Sequence, residues 1–266
     1  MRKPLLMASV LMIVIAGLFY TCQFFMKEIT AQPVLLANSH GIYSNNLAPY
    51  KDYLYLPQPT DEVEVEKEQF EIPFFEIDDS FVKSIPEGKV ALTFDDGPSE
   101  YTRDIVNTLK QYEVGGTFFL IGQYLDKYPE EVAYIHENGY TIGTHSMNHI
   151  NFSNSSTATQ EYELQQSIEA IEAIIGEEIT LFRPPFGQFN DITESVSSNL
   201  GQRMILWNND PKDWQSRDAK KIIQHIKSSD VSGSIIILHE YPATLEALPE
   251  IITYLQAQGL ELVNLR

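Results

Sequence analysis

The chain contains one cysteine, Cys22, in 266 residues. An intramolecular disulfide is therefore excluded, and the fold must rest on its apolar core. Positive charge is equally sparse: 18 Lys and Arg stand against 37 Asp and Glu, a formal net charge of −19. Nucleic-acid backbones are held by clustered Lys and Arg, and no such cluster occurs, so nucleic acid is excluded as a partner. No Gly-x-Gly-x-x-Gly run is present either, which removes the fingerprint of a dinucleotide-binding fold. What remains is a chain of 43% hydrophobic residues, enough for one sizeable domain with additional segments.

The first such segment is an almost uninterrupted apolar run from Leu5 to Met26, preceded by Arg2 and Lys3 and closed by Lys27-Glu28. A run of that length spans hydrocarbon as a helix, and the leading positive charges keep its N-terminus in the cytoplasm. Residues 1–28 are therefore expected to anchor the protein in the cell membrane, with everything beyond Lys27 extracytoplasmic. A cleaved signal peptide is the alternative, giving a secreted chain, although no Ala-x-Ala pattern is present. Residues 29–86 carry Asn, Ser, Tyr, Pro and the acidic run Asp61-Glu-Val-Glu-Val-Glu66, and are expected to form a polar stalk. Near its end, Ile72, Phe74, Phe75, Ile77, Phe81 and Val82 supply apolar side chains that can dock on a neighbouring core.

From residue 87 to Arg266 short apolar strands alternate with helical stretches. Lys89–Phe94, Thr117–Ile121, Tyr140–Thr144, Ile179–Phe182, Arg203–Trp207, Ser234–Leu238 and Leu260–Val263 have strand character. The longest helix is expected from about Thr157 to Ile175, with Gly176 closing it. This alternation predicts an α/β fold, a distorted (β/α) barrel of about seven parallel strands. Barrel enzymes place their chemistry at the C-terminal ends of strands. Five strand ends here carry polar residues at once: Asp95-Asp96, His145, Arg183, Asn208-Asn-Asp210 and His239.

Two adjacent carboxylates at a strand mouth repel each other unless a cation, an arginine or a shared proton lies between them. His145-Ser-Met-Asn-His149 sets two imidazoles four residues apart, which on a helical turn places both on one face at the separation one ion accepts. With one Asp they make a His-His-Asp set that leaves a coordination position open for water. The second Asp is then free to act as a base.

These stretches resemble a known family. Thr-Phe-Asp95-Asp96-Gly-Pro, His145-Ser-x-x-His149, Arg183-Pro-Pro-Phe-Gly187, Asp210-x-x-Asp213-Trp214 and Ile237-Leu-His239 are similar, in order, to the five motifs of the polysaccharide deacetylases, the NodB-homology domain of carbohydrate esterase family four. The resemblance spans about Lys89 to Arg266. It implies metal-dependent removal of acetyl groups from an acetylated polysaccharide, with Asp95 as general base and Asp96, His145 and His149 as ligands of one divalent ion, zinc before cobalt, manganese or nickel. It further implies that Arg183 orients Asp95 and that the Phe186 N–H faces the oxyanion. His239 becomes the acid, with Asp213 as its partner, and Trp214 and Ile237 wall a pocket for the acetyl methyl. The expected substrate is N-acetylglucosamine of peptidoglycan. Chitooligosaccharide or acetylxylan deacetylation and a catalytically silent glycan-binding wall protein are the alternatives, and the chain is expected to be a monomer. In two places the chain departs from the family. Phe186 stands where Tyr is commoner, and Val114-Gly115-Gly116-Thr117 replaces a basic residue that pairs with the fourth-motif Asp, which leaves open what holds Asp213.

Overall fold

The computed structural model describes residues 71–266. The expected anchor over 1–28 and the stalk up to residue 70 lie outside those residues. Among the described residues no helix is long and apolar enough to cross a membrane.

Ten strands are present: β1 (Phe74–Phe75), β2 (Phe81–Val82), β3 (Lys89–Gly97), β4 (Thr117–Leu120), β5 (Thr141–Thr144), β6 (Leu181–Phe182), β7 (Arg203–Ile205), β8 (Ser234–His239), β9 (Glu261–Leu262) and β10 (Asn264–Leu265). Seven of them form one parallel sheet in the order β2-β7-β6-β5-β4-β3-β8, while β9 pairs with the start of β3. Beyond β7, a parallel bridge from Asn209 to Ile236 brings that strand's continuation against β8, Asn208 Oδ1 accepts the Ile235 N–H, and an antiparallel bridge joins Ser84, just past β2, to Ser234 of β8. The sheet is therefore a curled barrel whose closing seam consists of isolated bridges and not of a continuous ladder. Its strands are near-continuous apolar runs because both faces are covered, as parallel sheets require.

Helices cross between the strands: α1 (Thr102–Gln111), α2 (Pro129–Glu137), α3 (Thr157–Ile175), α4 (Asp191–Asn199), α5 (Asp213–Ser216), α6 (Ala219–Ser228) and α7 (Pro242–Ala257). Their ends follow local chemistry. Pro129 occupies the first turn of α2, the Ser156 hydroxyl accepts the Thr159 N–H at the start of α3, and Gly176 ends α3 at φ 75°. Between sheet and helices lies the main core, built from residues such as Leu92, Phe94, Ile105, Phe118, Ile135, Ile236 and Ile251.

Two expectations need correction. The boundary at 86/87 falls inside the folded unit, because β2 pairs with β7 in the main sheet and Ile77 and Ile85 are buried in the core. Strands two residues long leave no periodic signal, and the acids around them disguise the burial. The final strand expected over 260–263 is present as β9, paired with β3 in the main sheet, and β10, just beyond it, pairs with β1. The main sheet thus holds β2 in addition to the seven expected strands. Lastly, His145 to His149 form a loop and not a helical turn, with Ser146 at φ 67° and His149 at φ 55°.

Candidate active site

Strand register assembles the site. Asp95 on β3 is the lateral partner of His239 on β8, and Thr144 on β5 is the partner of Phe182 on β6, which leaves His145 and Arg183 side by side just past the strand ends. Consecutive strand residues normally point to opposite faces, so Asp95 and Asp96 would separate. A bulge prevents this: β3 shifts register between Asp95 and Gly97, and Asp96 takes φ 66°. Both carboxylates therefore reach the mouth of the sheet.

Asp95 is 1% exposed and Arg183 is fully buried. Arg183 Nη1 donates to Asp95 Oδ1 and to Thr93 Oγ1, each at 2.7 Å, while Nε and Nη2 donate to the Ile205 and Leu206 carbonyls. Its guanidinium lies 4.1 Å above the Phe119 ring. Burial lowers the Arg183 pKa and the Asp95 charge opposes that shift. A buried pair with every arm bonded in this way fixes the direction of Asp95, leaving Oδ2 directed at the site, 3.6 Å from His145 Nε2.

Asp96 Oδ1 lies 3.3 Å from His149 Nε2 and 3.7 Å from His145 Nε2, and one donor atom from each of the three residues falls within 4.8 Å of the others. His145 Nδ1 is 2.7 Å from the Arg183 carbonyl oxygen, which can only accept, so Nδ1 carries the proton and Nε2 presents a lone pair. Burial also lowers the His145 pKa, against the pull of Asp95 and Asp96, and favours the neutral ring that a metal requires. Asp96 Oδ1 is buried and takes no hydrogen bond among the described residues. An unpaired buried carboxylate oxygen facing the Nε2 atoms of two imidazoles fits a divalent cation.

Across the mouth, His239 Nδ1 meets Asp213 Oδ1 at 2.8 Å. Asp213 is held without a basic partner: Oδ2 accepts the His239 N–H at 2.6 Å and the Thr244 hydroxyl at 2.7 Å, and Oδ1 accepts the Trp214 N–H at 2.8 Å. Gly115, in the stretch that lacks the basic residue, instead packs against the main chain of Val263 and Asn264. Burial alone would depress the His239 pKa, but the hydrogen bond and charge of Asp213 outweigh it and leave the group raised above 6.5.

The three remaining sequence candidates, Phe186, Trp214 and Ile237, line the same cleft of about 460 Å³, with Asp210, Trp207, Arg217 and Tyr241 beside them. Phe186 is 59% exposed at φ 61° with its ring edge-on to His149, and Trp214 is 48% exposed and so not core, whereas Ile237 is buried in the floor. Arg217 and Trp207 carried no motif signal. Arg217 lies across the Tyr241 ring and donates to the Trp214 carbonyl, and Trp207 packs on Gly187.

A parallel α/β barrel with such a mouth carries the residues that a hydrolase working with a divalent ion requires. Comparison with known proteins narrows this. A family model described as polysaccharide deacetylase matches residues 83–205. The chain is 35% identical over 182 residues to a peptidoglycan-N-acetylglucosamine deacetylase of Bacillus cereus, a match covering 66% of this chain and 85% of that protein. The structure of the peptidoglycan deacetylase PdaC from Bacillus subtilis superposes with a TM-score of 0.63 at 34% identity, covering 67% of this chain and 88% of that one. A CE4 family pseudoenzyme from Bacillus anthracis gives a TM-score of 0.67 at 27% identity, with coverage of 69% and 66%. The chain belongs to the polysaccharide deacetylase family and to the hydrolases.

Proposed function

We propose that this protein removes acetyl groups from N-acetylated cell-wall glycan, with N-acetylglucosamine of peptidoglycan as the substrate. The observation that carries the reading is the pairing of Asp95 and His239 on neighbouring strands, on either side of an Asp96–His145–His149 set. Asp96, His145 and His149 would hold a divalent ion, zinc in this proposal, which would supply Lewis-acid polarisation of the acetyl carbonyl and lower the pKa of bound water to about 7.

The remaining work falls to side chains and main chain. Asp95, aimed by Arg183, takes the proton of the attacking water through Oδ2. The Phe186 N–H, on its fixed turn between Pro184 and Gly187, faces the oxygen on which charge develops. His239 enters protonated, as its raised pKa favours, and gives that proton to the departing amine nitrogen, while Asp213 holds the ring. Trp214 and Ile237 exclude water around the acetyl methyl. The protein acts outside the cytoplasm as a monomer, with residues 1–28 as its anchor. Recovery of a soluble mature chain beginning near Gln32 would instead establish a cleaved signal.

Acetate release from purified peptidoglycan, chitin oligomers and acetylxylan, assayed in parallel, tests the reading. Peptidoglycan is expected to give the highest kcat/KM. Preference for acetylxylan would overturn the substrate class, and no release from any of the three would favour the silent wall protein that the pseudoenzyme relative brings to mind.

A further inference from the structure

Glu163 lies on α3, is 4% exposed, and has no part in the chemistry above. Its carboxylate grips one residue twice: Oε2 accepts the Asn148 N–H and Oε1 accepts Asn148 Nδ2, both at 2.7 Å. Its main-chain carbonyl accepts the Met147 N–H at 3.1 Å. Met147 and Asn148 are two of the three residues between His145 and His149. The third, Ser146, is tied from both sides: its N–H donates to Thr144 Oγ1, which shares a hydrogen bond with Ser167 one turn further along α3, and its hydroxyl accepts the His149 N–H at 2.9 Å. Ser146 and His149 both sit in the left-handed region, which non-glycine residues occupy only where their surroundings impose it. No Lys, Arg or His nitrogen lies within 4.0 Å of Glu163 among the described residues. Burying a carboxylate without a counter-charge is costly, and here only the loop's two Asn148 donors meet its oxygens.

We propose that Glu163 is a positioning residue for the metal set, a two-pronged clamp that holds the His145–His149 loop so that both imidazole Nε2 atoms converge on Asp96. The proposal rests on Asp96, His145 and His149 being the ligands. Partners of this kind, one step removed from the ion, are typically worth ten- to a hundredfold in metal affinity.

Zn²⁺ titrated into the metal-stripped full chain, with affinity read by chelator competition, tests it. Glu163→Met keeps a similar length but removes both acceptors that Asn148 meets. Affinity is expected to fall by roughly ten- to a hundredfold, with kcat recovering at saturating Zn²⁺. Asn148→Ala removes one donor without touching α3, and is expected to give a smaller loss in the same direction should the Met variant fail to fold. Glu163→Gln combined with Asn148→Asp exchanges carboxamide and carboxylate across the contact, so that both hydrogen bonds can form again, and is expected to bind Zn²⁺ more tightly than Glu163→Met. Unchanged affinity in both single variants, with only the melting temperature of the metal-free protein lowered, would show a purely structural glutamate and overturn the clamp. Failure of the exchange to restore affinity would overturn it as well. Absence of Zn²⁺ binding by the unmodified chain would instead remove the ligand assignment, and the clamp with it.

Discussion

The two neighbouring carboxylates differ in what they touch, and so in how they should fail. Asp95 spends Oδ1 on Arg183, whereas Asp96 Oδ1 meets only the two histidines. Asp96→Asn is expected to weaken metal binding, with partial recovery in excess metal, because a carboxamide oxygen neutralises a cation poorly. Asp95→Asn is expected to keep its metal and lose about two to four orders of magnitude in rate, the usual worth of a general base, with no rescue. Metal content by mass spectrometry, measured beside acetate release, separates the two; equal metal loss and equal rescue would end this division of labour. His239 offers a different readout. It must be protonated to serve as acid, and Asp213 is what holds its pKa up against burial. Asp213→Asn should therefore lower kcat and move the alkaline limb of the kcat/KM profile to lower pH. An unmoved limb would assign that limb to another group. The same sign governs stability: the Asp213–His239 contribution is complete below about pH 6.5 and fades as pH rises through the raised value.

At the scale of elements, the strand mouths were legible because each ends an apolar run abruptly in a polar residue, and of those residues Asp95, Asp96, His145, Asp210 and His239 line one cleft, with Arg183 buried behind Asp95. The bulge at Asp96 was not, since nothing in Asp-Asp-Gly distinguishes a turn from a strand that shifts register and continues to Gly97. Histidine spacing suggested a helical turn, whereas the hydrogen bonds that shape the loop come from Thr144, Ser146 and Glu163, a glutamate whose place in an amphipathic helix resembles any solvated face. What holds Asp213 was hidden for a similar reason: Thr244 lies 31 residues away, and only the return of α7 beside β8 brings them together. Residues 71–86 looked like stalk because their strands are two residues long. Their removal is the test at this scale. Chains starting at residue 71 should unfold cooperatively. Chains starting at residue 87 lose β2 from the sheet edge and the buried side chains of Ile77 and Ile85, at about 1.5–3 kcal/mol for each isoleucine. That is a large part of a typical domain's stability of about 5–15 kcal/mol, so the shorter chain should show no cooperative transition by circular dichroism. An unchanged melting temperature would restore the boundary at 86/87.

For the whole molecule, the mouth is held together by a buried acid next to His239. Glu240, just past the end of β8, accepts hydrogen bonds through Oε2 from Ser99 and Thr102, at the start of α1, and so ties together the segments that leave the neighbouring strands β3 and β8. Its other oxygen has no hydrogen-bond partner among the described residues and lies so close to Gly97 that a Cβ there would come within 2.2 Å of it. Burial, opposed in part by the two hydroxyls, leaves its pKa pushed up to about 7 from an ordinary 4.5. Below about pH 4.5 the group is protonated in both folded and unfolded chains. As pH rises from there to about 7 the unfolded chain gives up the proton first, so the folded state binds more protons and its stability falls. At about 1.4 kcal/mol per pKa unit, the loss totals about 3 kcal/mol once both states are ionised. Glu240→Gln has no proton to retain and should lack this component. Denaturant unfolding of the metal-stripped protein at pH 5 and pH 8 reads most of the difference: because part of the loss has already occurred by pH 5, the unmodified chain should lose about 2 to 3 kcal/mol more than the variant between those two values. Equal losses would mean that Glu240 is ionised in the folded protein at pH 5, with a cation or further donor at its unpaired oxygen.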